Sequence, residues 1–138
     1  MLIVPANGPN TELAKNLILA GVNVTIYDDA TVTEDDFESN FLVSDKDIGK
    51  FRAESVYSRL KEMNPSGKNE IVLENLLDNV DQHPDEKFKA YSFIATSTTN
   101  FGTAAKWDAL SKRINVPYYN LVCCGLYSYA YISLGSPY

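Results

Sequence analysis

The alternation of strand-like and helix-like segments in the first 30 residues limits this chain to few folds. The apolar run over residues 2–4 is followed by a proline, which is typical of a short buried strand. Asn10 or Thr11 can cap a helix over residues 12–20, and residues 22–27 are rich in β-branched side chains and predict a second strand. Strand, helix and strand at this spacing indicate a right-handed parallel crossover unit.

The same alternation continues along the rest of the chain. Apolar side chains at helical spacing predict helices over 53–63 and 103–114, and further strands are expected at 70–73, 91–95, 117–122 and 126–134. We expect the acidic segment 31–40 and the polar stretch around His83 to be exposed loops. This order predicts a doubly wound, mostly parallel α/β sheet in a single domain, with its ligand crevice at the carboxyl ends of the strands.

Composition excludes several classes of function. The 138 residues carry 12 Lys and Arg against 18 Asp and Glu, a formal net charge of -6, which argues against a nucleic-acid partner because phosphate contacts need clustered cations. No apolar stretch approaches the roughly 20 residues that a membrane span requires, and Met1 opens into a strand rather than a signal peptide. We therefore expect a protein of the nucleus or cytoplasm with no membrane partner.

The cysteines and the single histidine offer little chemistry. Cys123 and Cys124 are adjacent, and neighbouring cysteines rarely bridge each other because the disulfide would strain the peptide between them. With His83 as the only histidine, no zinc site can be assembled. A thiol nucleophile stays formally open, although no acid or base lies near it in the sequence.

The turn after the first strand is where folds of this type hold phosphates, and here it is altered. Against a G-x-x-G-x-G spacing only Gly8 is present, with Pro5 and Asn10 at the other two positions, and Pro9 lacks an N–H donor. Asp28 ends the second strand, where an acidic residue would bind a ribose hydroxyl. The two interpretations are ribose binding and a relic turn in which Asp28 is merely solvated.

Several blocks of sequence together resemble the adenylation fold of the ubiquitin-like-protein activating enzymes. The blocks are residues 12–22 followed by 25–29 and 32–36, then 41–54 with the helix end at 60–65, and finally 114–119 with 125–132. The resemblance covers nearly the whole chain. It implies a Rossmann-like, ThiF-like adenylation domain over residues 1–138.

The chain departs from the active members of that family at their charged positions. The active half carries an arginine in an Asn-x-x-Arg-Gln-Phe loop, a lysine in the second helix and an aspartate after the fourth strand. Here Ser39 and Arg52 stand at the first two positions, and residues 97–100 contain no aspartate. The resemblance is therefore to the inactive half, nearest to the smaller subunit of the SUMO-activating enzyme.

That resemblance implies a pseudoenzyme with a degenerate nucleotide site formed by Gly8, Asp28 and Arg52, and with no catalytic residue, metal ligand or cofactor of its own. ATP and Mg are expected on the catalytic subunit that would be its partner, together with a ubiquitin-like modifier. We also expect the chain to be a truncated, core piece of the family's domain that, when isolated, either self-associates as a homodimer or needs its partner.

Other interpretations stay open at this point. A self-contained ATP-dependent adenylating enzyme would use Asp28 for ribose and Lys50 or Arg52 for phosphate. A dinucleotide oxidoreductase would need an intact glycine loop, and a stand-alone interaction domain would bind no nucleotide.

Two groups of residues also have two interpretations each. The acidic segment is either a steering surface or solvated, and the tyrosines form either a partner surface or strand packing: Tyr118, Tyr119, Tyr127, Tyr129 and Tyr131.

Overall fold

The structure, a computed structural model, describes residues 1–135 as one six-stranded sheet with helices on both faces. The last three residues of the predicted domain 1–138 lie outside the described residues. The strands are β1 Leu2–Val4, β2 Thr25–Tyr27, β3 Glu70–Val72, β4 Ile94–Thr96, β5 Tyr118–Cys124 and β6 Tyr127–Ser133. The helices are α1 Gly8–Leu19, α2 Glu34–Ser39, α3 Arg52–Met63, α4 Asp85–Lys89 and α5 Phe101–Ile114.

The strand order confirms the predicted doubly wound, mostly parallel sheet. The order is β3-β2-β1-β4-β5-β6, and every neighbouring pair is parallel except β5 with β6, which form an antiparallel hairpin. The order reverses direction between β1 and β4, so the crevice of this fold opens there, beyond the carboxyl ends of these strands.

The two faces of the sheet bury separate apolar clusters. On one face, Ile18 of α1 and Val56 and Leu60 of α3 pack with Ile3 of β1, and all four are fully buried. The other face is filled by the large side chains of α4 and α5, with Phe88 and Trp107 in an edge-to-face contact and the Trp107 indole N–H donating to the Leu77 carbonyl at 3.0 Å. Both faces of the parallel strands are therefore covered, as a parallel sheet requires.

The acidic segment 31–40 is not a loop throughout, so that prediction was wrong. It contains α2, which Thr33 caps by accepting a hydrogen bond from the Asp36 N–H while the Asp36 carboxylate accepts one from the Thr33 N–H. Acidic residues in the first turn add favourable interaction with the helix dipole. The helix is only six residues long, and a run of charges without apolar periodicity conceals it in the sequence.

The other boundaries shift by a few residues. Helix α1 begins at Gly8 rather than near residue 12, with Asn7 as its cap and Pro9 in its first turn, where a missing N–H is tolerated. Strand β4 lies at 94–96 instead of 91–95, and the polar stretch before it contains α4, whose Phe88 is fully buried. None of the helices in the described part of the chain is long and apolar enough to cross a membrane.

Candidate functional site

Two of the predicted site residues meet at the carboxyl end of β2. Asp28 follows that strand and is 4% exposed, and Arg52 is the first residue of α3. The Arg52 Nε donates to Asp28 Oδ2 at 2.7 Å, and Nη2 donates to Oδ1 at 3.2 Å. This parallel two-bond arrangement is the strongest geometry available to an arginine and a carboxylate.

The backbone completes the coordination of the Asp28 carboxylate. The Ala6 N–H donates to Oδ2 at 3.0 Å, and the Ala30 N–H donates to Oδ1 at 3.1 Å. Each oxygen thus accepts two hydrogen bonds, which is the capacity of a carboxylate oxygen. The interpretation of Asp28 as a solvated residue was wrong, because its carboxylate is buried and bonded to the protein on every side.

Arg52 also binds α2. Its Nη1 donates to Asp36 Oδ1 at 2.6 Å, so one guanidinium joins the end of β2, the helix α2 and the start of α3. Burial alone would raise the pKa of Asp36, but the bonds from Arg52 and Thr33 outweigh it and leave that pKa below its ordinary value. Burial likewise opposes the charge of Arg52, yet Asp28 and Asp36 raise the pKa of the guanidinium. We call Asp28, Asp36 and Arg52 the arginine clamp.

Gly8 serves the packing of α2 against α1. A Cβ built on Gly8 would overlap the carbonyl oxygen of Ser39, at the end of α2. The next residue, Asn40, is buried and donates from Nδ2 to the Ala6 carbonyl and to the Thr11 hydroxyl, each at 3.1 Å. The turn therefore needs glycine at this position because the backbone of α2 approaches it closely. In a nucleotide-binding turn the same lack of a side chain admits a phosphate.

Asn10 supports the same turn from inside. It stands at the position of the third glycine in the phosphate-binding spacing and is fully buried. Its Nδ2 donates to the carbonyls of Val4 at 2.9 Å and Pro5 at 2.8 Å. The turn between β1 and α1 is thus held by amide side chains of the protein.

The crevice between β1 and β4 opens into a cleft of about 350 Å³. Its walls come from the start of α1, the end of α2, the loop after β4 and the last part of strand β5. Every residue lining it is uncharged: Asn7, Gly8, Pro9, Ser39, Ser97, Thr98, Thr99, Val122 and Cys123. Buried Asn120 fixes the loop after β4 by accepting from the Thr98 N–H at 3.0 Å and donating to the Thr98 carbonyl at 3.1 Å.

These residues do not fit ATP with Mg. Neutralising a triphosphate needs cations and a metal-binding acid, and the cleft offers neither. Residues 1–135 also contain no group of three or more His, Cys, Asp or Glu side chains that could hold a metal ion. The carboxylate that would bind the ribose is already bonded to Arg52.

Comparison with known proteins places the chain. The sequence model of the ThiF family matches residues 1–132. The chain belongs to the ThiF family. It is 25% identical over 135 residues to the DNA damage tolerance protein RHC31 of Saccharomyces cerevisiae, covering 97% of this chain and 38% of that protein. It is 27% identical over 136 residues to SUMO-activating enzyme subunit 1 of Xenopus tropicalis, covering 98% of this chain and 38% of that protein.

The fold comparison agrees with the sequence comparison. The crystal structure of E. coli MccB superposes with a TM-score of 0.82 over 99% of this chain and 37% of MccB, at 18% identity. That likeness supports the Rossmann-like fold. The chain spans about two fifths of the length of the relatives described here.

In this ThiF-family chain the three predicted site residues lie in two different clefts. Asp28 and Arg52 line a cleft of about 180 Å³ beyond β1, β2 and β3, whereas Gly8 faces the larger cleft on the other side of β1. Lys50, the alternative phosphate ligand, contacts Asp47 at 3.1 Å instead. Asp36 was not predicted as a site residue, and its one signal in the sequence is its position three residues after the capping Thr33.

His83 lies in a small polar cluster, so the prediction of a merely exposed histidine was wrong. Its Nε2 lies 2.8 Å from Glu74 Oε1, and its Nδ1 lies 3.1 Å from Lys87 Nζ. Lys87 also lies over the Tyr27 ring at 4.8 Å from the centroid. These contacts connect α4 to the ends of β2 and β3, and they account for the position of His83 without a catalytic role.

The tyrosines divide between core and surface. Tyr118 is fully buried, and its hydroxyl lies 2.8 Å from the Thr96 hydroxyl, whereas Tyr127 is 82% exposed and Tyr129 and Tyr131 are 42% exposed. Cys123 and Cys124 are free thiols near the tip of the same hairpin, as predicted. Within residues 1–135 the β5–β6 side of the sheet is therefore open.

Proposed function

We propose that this ThiF-family chain is a non-catalytic scaffolding subunit of a SUMO-type activating heterodimer in the nucleus or cytoplasm. In this proposal the catalytic subunit holds ATP and Mg and adenylates a ubiquitin-like modifier, and this chain supports the partner's fold. The observation that carries the proposal is the arginine clamp. It occupies the carboxylate of Asp28, the group that would otherwise bind the ribose of a nucleotide.

The similar proteins support the proposal of a SUMO-type activating pathway. The chain is homologous over nearly its full length to a protein named SUMO-activating enzyme subunit 1. The uncharged cleft at the β1–β4 crevice supports the non-catalytic role in this proposal. Adenylation develops negative charge, and no cation lines this cleft to stabilise it. The open β5–β6 side offers exposed aromatic surface of the kind enriched in protein interfaces.

The test is reconstitution with the catalytic subunit of a SUMO-activating enzyme and its modifier. We expect a stable one-to-one complex by size exclusion and ATP-dependent thioester formation that depends on the partner's ATP site. The variant Arg52→Lys keeps the positive charge but loses the two-bond geometry with Asp28. Because no catalytic step passes through this site, the folded complex should keep thioester formation within about twofold.

Two outcomes would contradict the proposal. One is failure of the folded chain to bind any catalytic subunit of the ubiquitin-like pathways. The other is ATP–pyrophosphate exchange by this chain alone, which would favour a self-contained adenylating enzyme. The exposed variant Lys61→Ala, at the end of α3, is the matched control for both assays because its side chain is far along the helix from the clamp.

A further inference from the structure

The segment that contains α2 leaves the body of the chain and returns to it at the same place. The Val32 N–H donates to the Lys50 carbonyl, and the Gly49 N–H donates to the Val32 carbonyl, each at 2.9 Å. We call residues 33–48 the strap and this pair of backbone bonds its neck. Compact loops of up to about 16 residues whose ends meet are frequently functional elements.

The strap contains two turns built on the same pattern. In the first, the backbone N–H and the hydroxyl of Thr33 both donate to Asp36 Oδ2 at 3.0 Å. In the second, the backbone N–H and the hydroxyl of Ser44 donate to Asp47 Oδ2 at 3.0 and 2.8 Å. Each aspartate lies three residues after its capping residue, so each turn presents a carboxylate that its own backbone already orients.

An arginine of α3 binds each of these carboxylates. Arg52 Nη1 donates to Asp36 Oδ1 at 2.6 Å, and Arg59 Nη2 donates to Asp47 Oδ2 at 2.7 Å. The two arginines are separated by about two helical turns, so they leave α3 from the same face. Arg59 also donates from Nη1 to the Leu42 carbonyl at 2.6 Å. We call the two arginine–aspartate pairs the latches.

The latches are shielded from water. The side chains of Asp36 and Asp47 are each only 10% exposed. Lys50 also lies 3.1 Å from Asp47, but its side chain is 59% exposed. Exposed ion pairs contribute little because water screens them. The arginines, rather than Lys50, therefore hold the strap against α3.

The strap covers part of the core and forms one wall of the β1–β4 cleft. Leu42 and Val43 are 3% and 7% exposed and pack in the same apolar cluster as Val56 of α3. Ser39 lines the cleft, and its carbonyl oxygen lies against Gly8 at the start of α1. Movement of the strap away from α3 would therefore open the cleft and expose two apolar side chains together.

The position of these apolar side chains couples the two latches. Leu42 and Val43 lie between Asp36 and Asp47 in the chain, so neither end of the strap can move far while they stay buried. The conformational freedom that offsets their exposure grows with the number of residues released. Release of one latch alone frees few residues, whereas release of both frees the whole strap.

We propose that the strap opens and closes as one unit about its neck, that both latches release together, and that the opening uncovers the β1–β4 cleft. Such a movement is a local opening within an otherwise folded chain. It makes the strap a gate whose closed state depends on Arg52 and Arg59. The inference goes beyond the proposed function and does not depend on it.

Thiol labelling tests whether the strap opens before the chain unfolds. In a chain with Cys123→Ser and Cys124→Ser, Val43→Cys places a buried thiol on the strap, and the control Val56→Cys places one on α3 in the same cluster. Cysteine packs as a small apolar side chain, and a buried thiol reacts only when an opening exposes it. We expect Val43→Cys to react with a disulfide reagent at least tenfold faster than Val56→Cys, and equal rates would overturn the proposal.

Hydrogen exchange tests whether the latches release together. The Asn40 N–H donates to the Asp36 carbonyl beside the first latch, and the Asp47 N–H donates to the Ser44 carbonyl at the second. Arg59→Ala removes the second latch and should speed exchange of both amides by the same factor, at least tenfold. Faster exchange of the Asp47 amide alone would overturn the proposal, because it would show two turns that open independently.

Lys50→Ala is the matched control for the charge near Asp47. It removes the exposed cation but keeps the latch and the backbone of the neck, so both amides should exchange within about twofold of the wild type. A tenfold effect of Lys50→Ala would overturn the role of the latch. If circular dichroism shows Arg59→Ala unfolded, Ser44→Ala replaces it. This variant removes one hydrogen bond to Asp47 and should still speed both amides equally, by at least threefold.

Discussion

The two ends of the sheet differ in whether their side chains are buried and paired or exposed. Beyond β1, β2 and β3, the carboxylates of Asp28 and Asp36 are buried and paired with Arg52, and backbone amides fill the remaining positions. Beyond β5 and β6, aromatic rings are exposed, and within residues 1–135 no strand pairs with the far edge of β6. The first end is closed by contacts among the described residues, whereas the second exposes aromatic side chains.

This difference indicates where function can reside. A site that binds a ligand keeps polar groups available for it, and the Asp28 carboxylate of the clamp has every acceptor position filled by the protein. Exposed apolar surface is costly in water and marks contact with a partner. The comparison therefore assigns the closed end to stability and makes the open end the place to test for a partner.

The largest effect is expected at the closed end. Arg52→Ala leaves two buried carboxylates without their cation and should lower the free energy of unfolding by about 3 to 5 kcal/mol. The matched control is Arg113→Ala, which removes an exposed pair with Asp85 at 2.7 Å and should cost less than about 1 kcal/mol. Urea unfolding measures both. Similar costs for the two variants would show that the clamp is not the main support of this end.

A second pair of variants applies one substitution to both ends. Leu76→Ala removes a fully buried side chain near the closed end and should cost about 2 to 5 kcal/mol. Leu126→Ala, at the exposed hairpin tip, should change the unfolding free energy by less than about 0.5 kcal/mol. A large loss for Leu126→Ala in a monomeric sample would mean that the open end is packed in solution.

The third prediction uses pH to separate buried from exposed tyrosine. Burial raises the pKa of Tyr118 to about 12, against an ordinary value of 10. Below pH 10 the folded and unfolded chains both keep this proton, and above it the unfolded chain loses the proton first. Stability should therefore fall between pH 10 and 12, by up to about 3 kcal/mol from this group.

The check is urea unfolding of the wild type and Tyr118→Phe at pH 9 and pH 11. The Phe variant lacks the hydroxyl and should lose less stability over this range, while Tyr127→Phe, at an exposed position, should behave like the wild type. If Tyr118→Phe and the wild type lose the same stability, the hydroxyl is not held in its neutral form by burial.

Much of the fold could be predicted because it depends on local pattern. The run at residues 2–4, the β-branched residues before Asp28 and the helical spacing of residues 53–63 each predict one element correctly. Helix α2 was missed because it is short and depends on a capping contact between Thr33 and Asp36 rather than on an apolar face.

The site was harder to predict because it depends on contacts distant in sequence. Asp28 and Arg52 were each identified, but they are 24 residues apart, and a sequence does not show which cation a carboxylate meets. The same holds for Asn40, which contacts Ala6 from 34 residues away. The open β6 edge was equally invisible, since its alternating tyrosines are also typical of a strand with one buried face.

The measurement that tests the central claim most directly is thermal unfolding of the chain with and without millimolar ATP and Mg. A ligand that binds only the folded state stabilises it by RT ln(1 + [L]/Kd). With the Asp28 carboxylate occupied by Arg52 and no cation lining the β1–β4 cleft, we expect a Kd above the millimolar range. The gain should then stay below about 0.5 kcal/mol, a shift in Tm of about 2 °C or less. A rise in Tm of about 5 °C or more would contradict the account and indicate a working nucleotide site.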